Sequence, residues 1–138
     1  MKDLIYQHET IDDIQMKFMD RDIALWKEEV AIIRIEILFF KRMLTASVFK
    51  SLHTDLQKKE SLIQDLNNVK EINETYYNNL TEFVNKLENI KECDDVQCET
   101  FYLNNHTKFR ADIEEHFAAY RFYKMNVILF FDTCLESQ

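Results

Sequence analysis

The side chains with the greatest capacity for chemistry are the histidines and carboxylates that fall on apolar helical stripes. Helical bundles bind metals through inward-facing carboxylates and histidines, and a Glu-x-x-His pair recurs on two of their helices. This chain contains no Glu-x-x-His sequence, and Asp112 with His116, four residues later, is only a weak substitute. The histidines are spread along the chain, at His8, His53, His106 and His116. We therefore predict no metal site and no cofactor.

A buried, hydrogen-bonded polar layer accounts for these positions better than a metal does, because such layers fix the register of helices in a bundle. The predicted members of the layer are Glu29, Glu36, Asn73, His116 and Tyr120. Counting levels along an up-down-up bundle, in which the first and last helices run parallel, predicts that Glu29 lies near Tyr120 and about one turn from His116. An alternative remains open, in which a four-helix-type bundle holds a metal or a small ligand in its core and acts as an oxidoreductase or a sensor.

The cysteines and the composition argue against catalysis. Cys93 and Cys98 form a Cys-x4-Cys pair, but a structural metal site needs four ligands and Cys134 lies far along the chain. We expect Cys93 and Cys98 to be ordinary thiols. The chain has no glycine, which excludes a Gly-rich phosphate loop, and it carries no Ser-His-Asp signature. No catalytic residue is predicted, and a non-enzymatic protein is favoured.

Long helices must position these side chains. The 138 residues include no Gly and no Pro, so the usual turn residues are missing and a few long helices are favoured over a sheet. Two adjacent stripes run along the segment around Trp26 to Leu44, and a helix with two such stripes must contact at least two other helices. The first stripe is Trp26, Val30, Ile33, Ile37, Phe40 and Leu44, and the second is Leu25, Glu29, Ile32, Glu36, Phe39 and Met43.

The whole chain, residues 1–138, is predicted to form one all-α domain, an antiparallel bundle of three long helices in up-down-up order. The predicted helices span about 10–44, 47–91 and 99–135, with Thr45 or Ser47 as the N-cap of the second and a loop over 91–100. The middle segment keeps one a/d phase from Leu62 to Ile90, which favours a single helix. A four-helix bundle with a turn near 67–73 is the alternative.

Charge and hydropathy narrow the possible partners and locations. The net charge is −8 and the sequence pI is near 5.0, and the basic runs are short, so we expect no binding to nucleic acid or to an anionic membrane. The N-terminal segment has no apolar signal region, and the longest apolar runs are too short to span a bilayer. A cytoplasmic protein is expected, in which the Asn-x-Thr triplets at Asn73, Asn79 and Asn105 are chance matches.

The aromatic residues suggest a second buried surface. The chain has 11 Phe, 6 Tyr and 1 Trp, and several are adjacent, so one stripe cannot bury them all. The predicted interaction face lies where the first and last helices end, and consists of Phe39, Met43, Phe130 and Phe131. The sequence therefore predicts a coiled-coil-like, non-enzymatic interaction or scaffold protein that self-associates. Its expected partner is a second copy, as a dimer, or another helical protein.

Overall fold

The computed structural model describes residues 11–46, 55–90 and 95–136, and within these ranges no strand occurs. Three helices account for nearly all of them: α1 (Ile11–Thr45), α2 (Leu56–Ile90) and α3 (Val96–Glu136). α1 and α3 run parallel, with Asp22 beside His106 and Glu36 beside Tyr120. α2 runs against both helices, so the predicted all-α, up-down-up bundle of three helices is confirmed.

One apolar core runs along the bundle, and each helix contributes to it at steps of three and four residues. The first predicted stripe, from Trp26 to Leu44, is buried along its whole length. The buried positions of α1 are Met19, Ile23, Trp26, Val30, Ile33, Ile37, Phe40 and Leu44. Burying one large apolar side chain contributes about 1.5–3 kcal/mol, so this stripe decides which side of α1 faces inward.

Aspartate side chains mark the beginnings of α2 and α3. Asp55 Oδ1 accepts hydrogen bonds from the backbone N–H groups of Gln57 and Lys58, at 3.1 and 3.2 Å. Asp95 Oδ1 accepts one from the Cys98 N–H at 2.7 Å. Both aspartates are therefore N-caps, which satisfy backbone donors that have no partner inside the helix and stabilise a helix by about 1 kcal/mol.

The observed boundaries differ from the predicted ones where these caps act. α2 begins at Leu56 rather than at residue 47, and α3 begins at Val96, inside the segment 91–100 that the sequence pattern predicts as a loop. Thr45 does not cap the second helix, because it ends α1 and its hydroxyl donates to the Lys41 carbonyl at 2.8 Å. Ser47, the other predicted cap, lies outside the described residues.

α2 is continuous, so the alternative with a turn near 67–73 is wrong. Asn67 and Asn68 are exposed residues in the middle of this helix, and the apolar phase continues through them from Leu66 to Leu80. The two asparagines are polar because they face solvent, not because the chain reverses there. No helix in the described part of the chain is long and apolar enough to cross a membrane.

Proline substitution tests the continuity of α2. We expect Asn67→Pro to lower the free energy of unfolding by about 3 kcal/mol, because proline removes a helical hydrogen bond and clashes with the preceding turn. The matched control, Asn67→Ala, should stabilise the protein by up to about 0.5 kcal/mol, since alanine is the better helix former. Urea denaturation measures both changes. A proline variant as stable as the alanine variant would show that the helix is interrupted at this point.

Candidate functional site

A buried amide joins all three helices at the centre of the bundle. Asn73, on α2, is 0% exposed, and its Nδ2 donates a hydrogen bond to the Val30 carbonyl of α1 at 3.1 Å. The Asn73 Oδ1 lies 2.9 Å from His116 Nε2 of α3. Because the amide nitrogen donates to a carbonyl, its oxygen must accept, and His116 Nε2 therefore carries the proton. This contact sets the register of α2 against both neighbours.

His116 is held as a neutral, stacked ring. Its ring lies against that of Tyr76, with centroids 4.9 Å apart and planes inclined by 18°. Burial lowers the pKa of His116, because the charged imidazolium loses its hydration in this environment. A neutral Nε2–H tautomer satisfies the Asn73 oxygen without placing a charge in the core. The site is therefore suited to fixing structure, whereas a general base would need a substrate within reach.

A second polar contact connects α1 to α3. The Tyr120 hydroxyl donates to Glu36 Oε1 at 3.1 Å, and Lys124 forms an ion pair with the other oxygen of the same carboxylate. Burial, together with the Glu36 carboxylate, raises the pKa of Tyr120, so its hydroxyl keeps its proton at neutral pH. Tyr123 donates to the Leu62 carbonyl at 3.2 Å, which ties α3 to α2. All of these groups are used in helix packing.

A third polar cluster lies closer to the beginnings of α1 and α3. His106 is buried, its ring stacks on Trp26 with centroids 5.4 Å apart, and its Nε2 lies 3.1 Å from Asp22 Oδ2. This contact between His106 Nε2 and Asp22 Oδ2 does not have the geometry of a hydrogen bond, and Nε2 has no other hydrogen-bond partner among the described residues. Arg110 forms an ion pair with the same Asp22 oxygen. Burial lowers the pKa of His106, although the Asp22 carboxylate opposes this effect.

Two residues of the third cluster, His106 and Arg110, line an open cleft of about 570 Å³ together with Phe18 and Thr107. Asp22 lies behind these residues against His106, and Arg110 already neutralises its carboxylate. Among the described residues, no group of three or more His, Cys, Asp or Glu is placed to hold a metal ion. The contacts in this cleft hold α1 against α3.

The predicted polar layer is partly reproduced. Asn73, His116 and Tyr120 are buried and Glu36 is half-buried, and each of them makes an interhelical hydrogen bond. Glu29 is exposed, so the prediction that it belongs to the buried layer is corrected. The partner of Tyr120 is Glu36, two turns further along α1, because α2 and α3 begin at other residues than predicted and the levels shift accordingly.

The cysteines also differ from expectation. Cys98 is disulfide-bonded, so the prediction of an ordinary thiol is wrong for this residue, and Cys93 lies outside the described residues. Cys134 is a free, buried cysteine, and burial raises the pKa of its thiol. A raised thiol pKa disfavours the reactive thiolate, so Cys134 is suited to packing rather than to nucleophilic chemistry.

The second candidate site is an apolar groove between the ends of α1 and α3. It encloses about 560 Å³ and is lined mainly by apolar side chains, with Glu36, Lys124 and Asp132 at its edges. We call it the α1–α3 groove, and its apolar lining is Ile35, Phe39, Phe40, Ile128, Phe131 and Leu135. Ile35, Phe39, Ile128 and Leu135 are exposed, so the groove is open to a binding partner.

The predicted interaction face overlaps this groove only in part. Phe39 is 55% exposed and lines the groove. Phe131 is 8% exposed and forms part of the groove floor, Phe130 lies in the core, and Met43 is half-buried against the core. Phe130 and Phe131 are therefore corrected to core residues, because both rings are buried.

The exposed surface of α1 continues from this groove towards its beginning. Four large apolar residues recur there at intervals of seven, and each is between 42% and 55% exposed. We call this set the outer row of α1: Phe18, Leu25, Ile32 and Phe39. Three of its members, Leu25, Ile32 and Phe39, belong to the second predicted stripe and are exposed, whereas Glu36 and Met43 of the same stripe are half-buried. The sequence signal that extends the row to Phe18 is the seven-residue period itself.

Comparisons with protein-family models, with curated proteins and with solved structures find no match to this chain. The function must therefore be inferred from the residues themselves. The buried polar contacts satisfy one another and hold the helices together, whereas the α1–α3 groove and the outer row present apolar surface to solvent. Ordered exposed apolar surface is the feature from which a function is proposed below.

Replacement of the buried amide pair tests its role in stability. We expect Asn73→Leu and His116→Leu each to lower the free energy of unfolding by about 2–3 kcal/mol, because each leaves the other polar group buried without a partner. The double variant should cost clearly less than the sum, since it removes both orphaned groups. Urea denaturation of the four proteins gives the coupling. Strictly additive losses would contradict a direct interaction.

The two buried histidines, His116 and His106, predict that the stability of the fold depends on pH. Because burial lowers the pKa of His116 and His106, the unfolded chain binds protons first as the pH falls below about 6.5. The folded state should therefore lose stability from pH 7 to 5.5, with each histidine contributing at most about 1.4 kcal/mol per pH unit. The Asn73→Leu/His116→Leu double variant should show a shallower loss in urea denaturation. An unchanged slope would contradict the lowered pKa of His116.

Proposed function

We propose that this protein is a non-enzymatic helical interaction or scaffold protein that binds a helical partner through the α1–α3 groove and the outer row of α1. The observation that carries the proposal is the contiguous apolar surface that these two features form on one side of the bundle. Single exposed apolar residues are common on soluble proteins, but a continuous row beside an apolar groove is typical of an interaction surface.

The physical reason is the shape of a three-helix rod. Each helix in such a rod contacts two neighbours, and the space beside α1 and α3 that a fourth helix would fill is open to solvent. Covering Ile35, Phe39, Ile128 and Leu135 would remove apolar surface from water, at about 25 cal/mol per Å². A helix is the element whose shape fits a groove between two parallel helices. The proposed partner is a second copy of the chain, as a dimer, or another helical protein.

Charge restricts the partner further. The net charge of −8 repels nucleic acid and anionic lipid, so neither is proposed as a partner. The edges of the groove carry charges of both signs, from Glu36, Lys124 and Asp132. A partner helix with an apolar stripe flanked by mixed charges would match these edges, as the rim of an interface usually does.

The proposed function does not depend on the cellular compartment. The sequence favours a cytoplasmic location, whereas the disulfide at Cys98 is typical of oxidising compartments and counts against it. The proposed binding surface contains no cysteine, so it serves either compartment.

A charged substitution in the groove tests the proposed function. We expect the unmutated protein to have the mass of a dimer by light scattering at tens of micromolar, and Phe39→Glu to shift it to the monomer mass. A carboxylate on the buried side of an apolar interface would lose its hydration without a partner. Circular dichroism should show unchanged helix content in the variant, because Phe39 is an exposed residue in the isolated bundle.

The matched control is Phe122→Glu. Phe122 is 64% exposed and lies on α3 outside the groove lining, so the same substitution there should leave the dimer intact. A strict monomer at these concentrations for the unmutated protein would contradict self-association. Equal effects of the two substitutions would contradict the assignment of the binding surface to the groove.

A further inference from the structure

The exposed side of α1 carries charges that complement those of a second α1 when the two helices run antiparallel. We propose that a second copy of this chain docks there, with its α1 antiparallel to the first about a two-fold axis at Ile35. This inference rests on the proposed function, and it adds the identity of the partner and the way in which it binds.

Two rows of residues with a period of seven make up this side of α1. The outer row is Phe18, Leu25, Ile32 and Phe39, and beside it lies a second row, Ile14, Arg21, Glu28, Ile35 and Arg42. Every residue of both rows is exposed. Two adjacent rows of this kind are the a and d positions of a coiled coil, and the bundle core uses a different pair of rows on the same helix. α1 therefore has a second seam that no helix in the described part of its own chain covers.

The charges of the second row select the orientation. Glu28 and Arg42 are each seven residues from Ile35, one before it and one after it. When two copies of α1 cross antiparallel at Ile35, Glu28 of each copy lies level with Arg42 of the other. Two opposite-charge pairs then form, with Ile32 and Phe39 supplying apolar contacts between them. A parallel pair in register would place Glu28 beside Glu28 and Arg42 beside Arg42, which repel.

The α1–α3 groove lies at the same level and faces the same side. Ile35 and Phe39 belong both to the seam and to the groove lining, and Ile128 and Leu135 extend the apolar surface onto α3. The α1 of the second copy would thus occupy the position of a fourth helix beside α1 and α3. Because both copies use the same surface, the assembly closes at two copies.

Charge reversal followed by mixing tests this arrangement. Glu28→Arg and Arg42→Glu should each raise the dissociation constant of the dimer by about tenfold, since each turns two attractive pairs into two repulsive ones. An equimolar mixture of the two variants should form a heterodimer, because one copy then carries arginine and the other carries glutamate at both positions, and both pairs join opposite charges again. Its dissociation constant, measured by sedimentation equilibrium, should return to within about threefold of the unmutated value. The double variant Glu28→Arg/Arg42→Glu should be restored in the same way.

Arg21→Glu is the matched control. Arg21 belongs to the same row, but the antiparallel pairing places it opposite a position beyond Thr45, where α1 ends, so its reversal should change the dissociation constant by less than about threefold. A dimer that Phe39→Glu splits but that neither reversal weakens would overturn the antiparallel arrangement and leave the proposed function standing. An unmutated protein that stays monomeric would overturn the second copy as the partner and self-association with it.

Discussion

The side chain of Asn73 is the contact on which the arrangement of the three helices depends. It is buried on α2, it donates to the Val30 carbonyl of α1, and it accepts from His116 of α3. A buried amide without partners costs a few kcal/mol, so a shift of any helix by one turn would be penalised. The apolar stripes alone would tolerate such shifts, because one turn replaces one large apolar side chain by another. The polar contact therefore supplies register, and the apolar core supplies most of the stability.

A thin core has a consequence for the surface. Three helices around one core bury the apolar residues that face inward, but α1 and α3 also carry large apolar residues on the sides that face away from that core. These residues weaken the solubility of an isolated rod, and nothing in the packing of the described helices requires them. Their placement in a row of period seven, beside a groove, is the pattern that a further helix would need. The exposed apolar surface of α1 is thus ordered, and this order is the basis of the proposed partner binding.

The extent to which the sequence predicts this structure follows from the kind of signal each feature has. The stripe from Trp26 to Leu44 predicts a buried face correctly because a helical period leaves few alternatives. The start of α2 depends on a single cap, Asp55, and a polar residue before a helix has many competitors in a polar segment. The register follows from these starting points, so an error in the predicted helix starts moved the expected neighbour of Tyr120 from Glu36 to Glu29.

The candidate site was also predicted only in part, because periodicity alone could not decide which ring of an aromatic pair faces the core. α3 buries both Phe130 and Phe131, whereas α1 buries Phe40 and leaves Phe39 exposed. Ile128 and Leu135 were missed because their place beside Phe39 depends on how two helices lie against each other, and the pattern of a single helix does not contain that information.

The buried polar layer and the exposed seam are physically coupled. Val30, whose carbonyl accepts from Asn73, falls between Leu25 and Ile32 in the sequence and on the buried side of the same helix, so the contact that fixes the rotation of α1 also fixes the direction in which the outer row faces. Glu36 acts in the same way beside the groove, because its bonds to Tyr120 and Lys124 hold α1 against α3 at the level of Ile35 and Phe39. A loss of either polar contact would therefore disturb the proposed partner binding without a change to any residue of the proposed interface. Rigid presentation of this kind reduces the entropy that binding must overcome, which is why a surface for association benefits from a polar, register-fixing core beneath it.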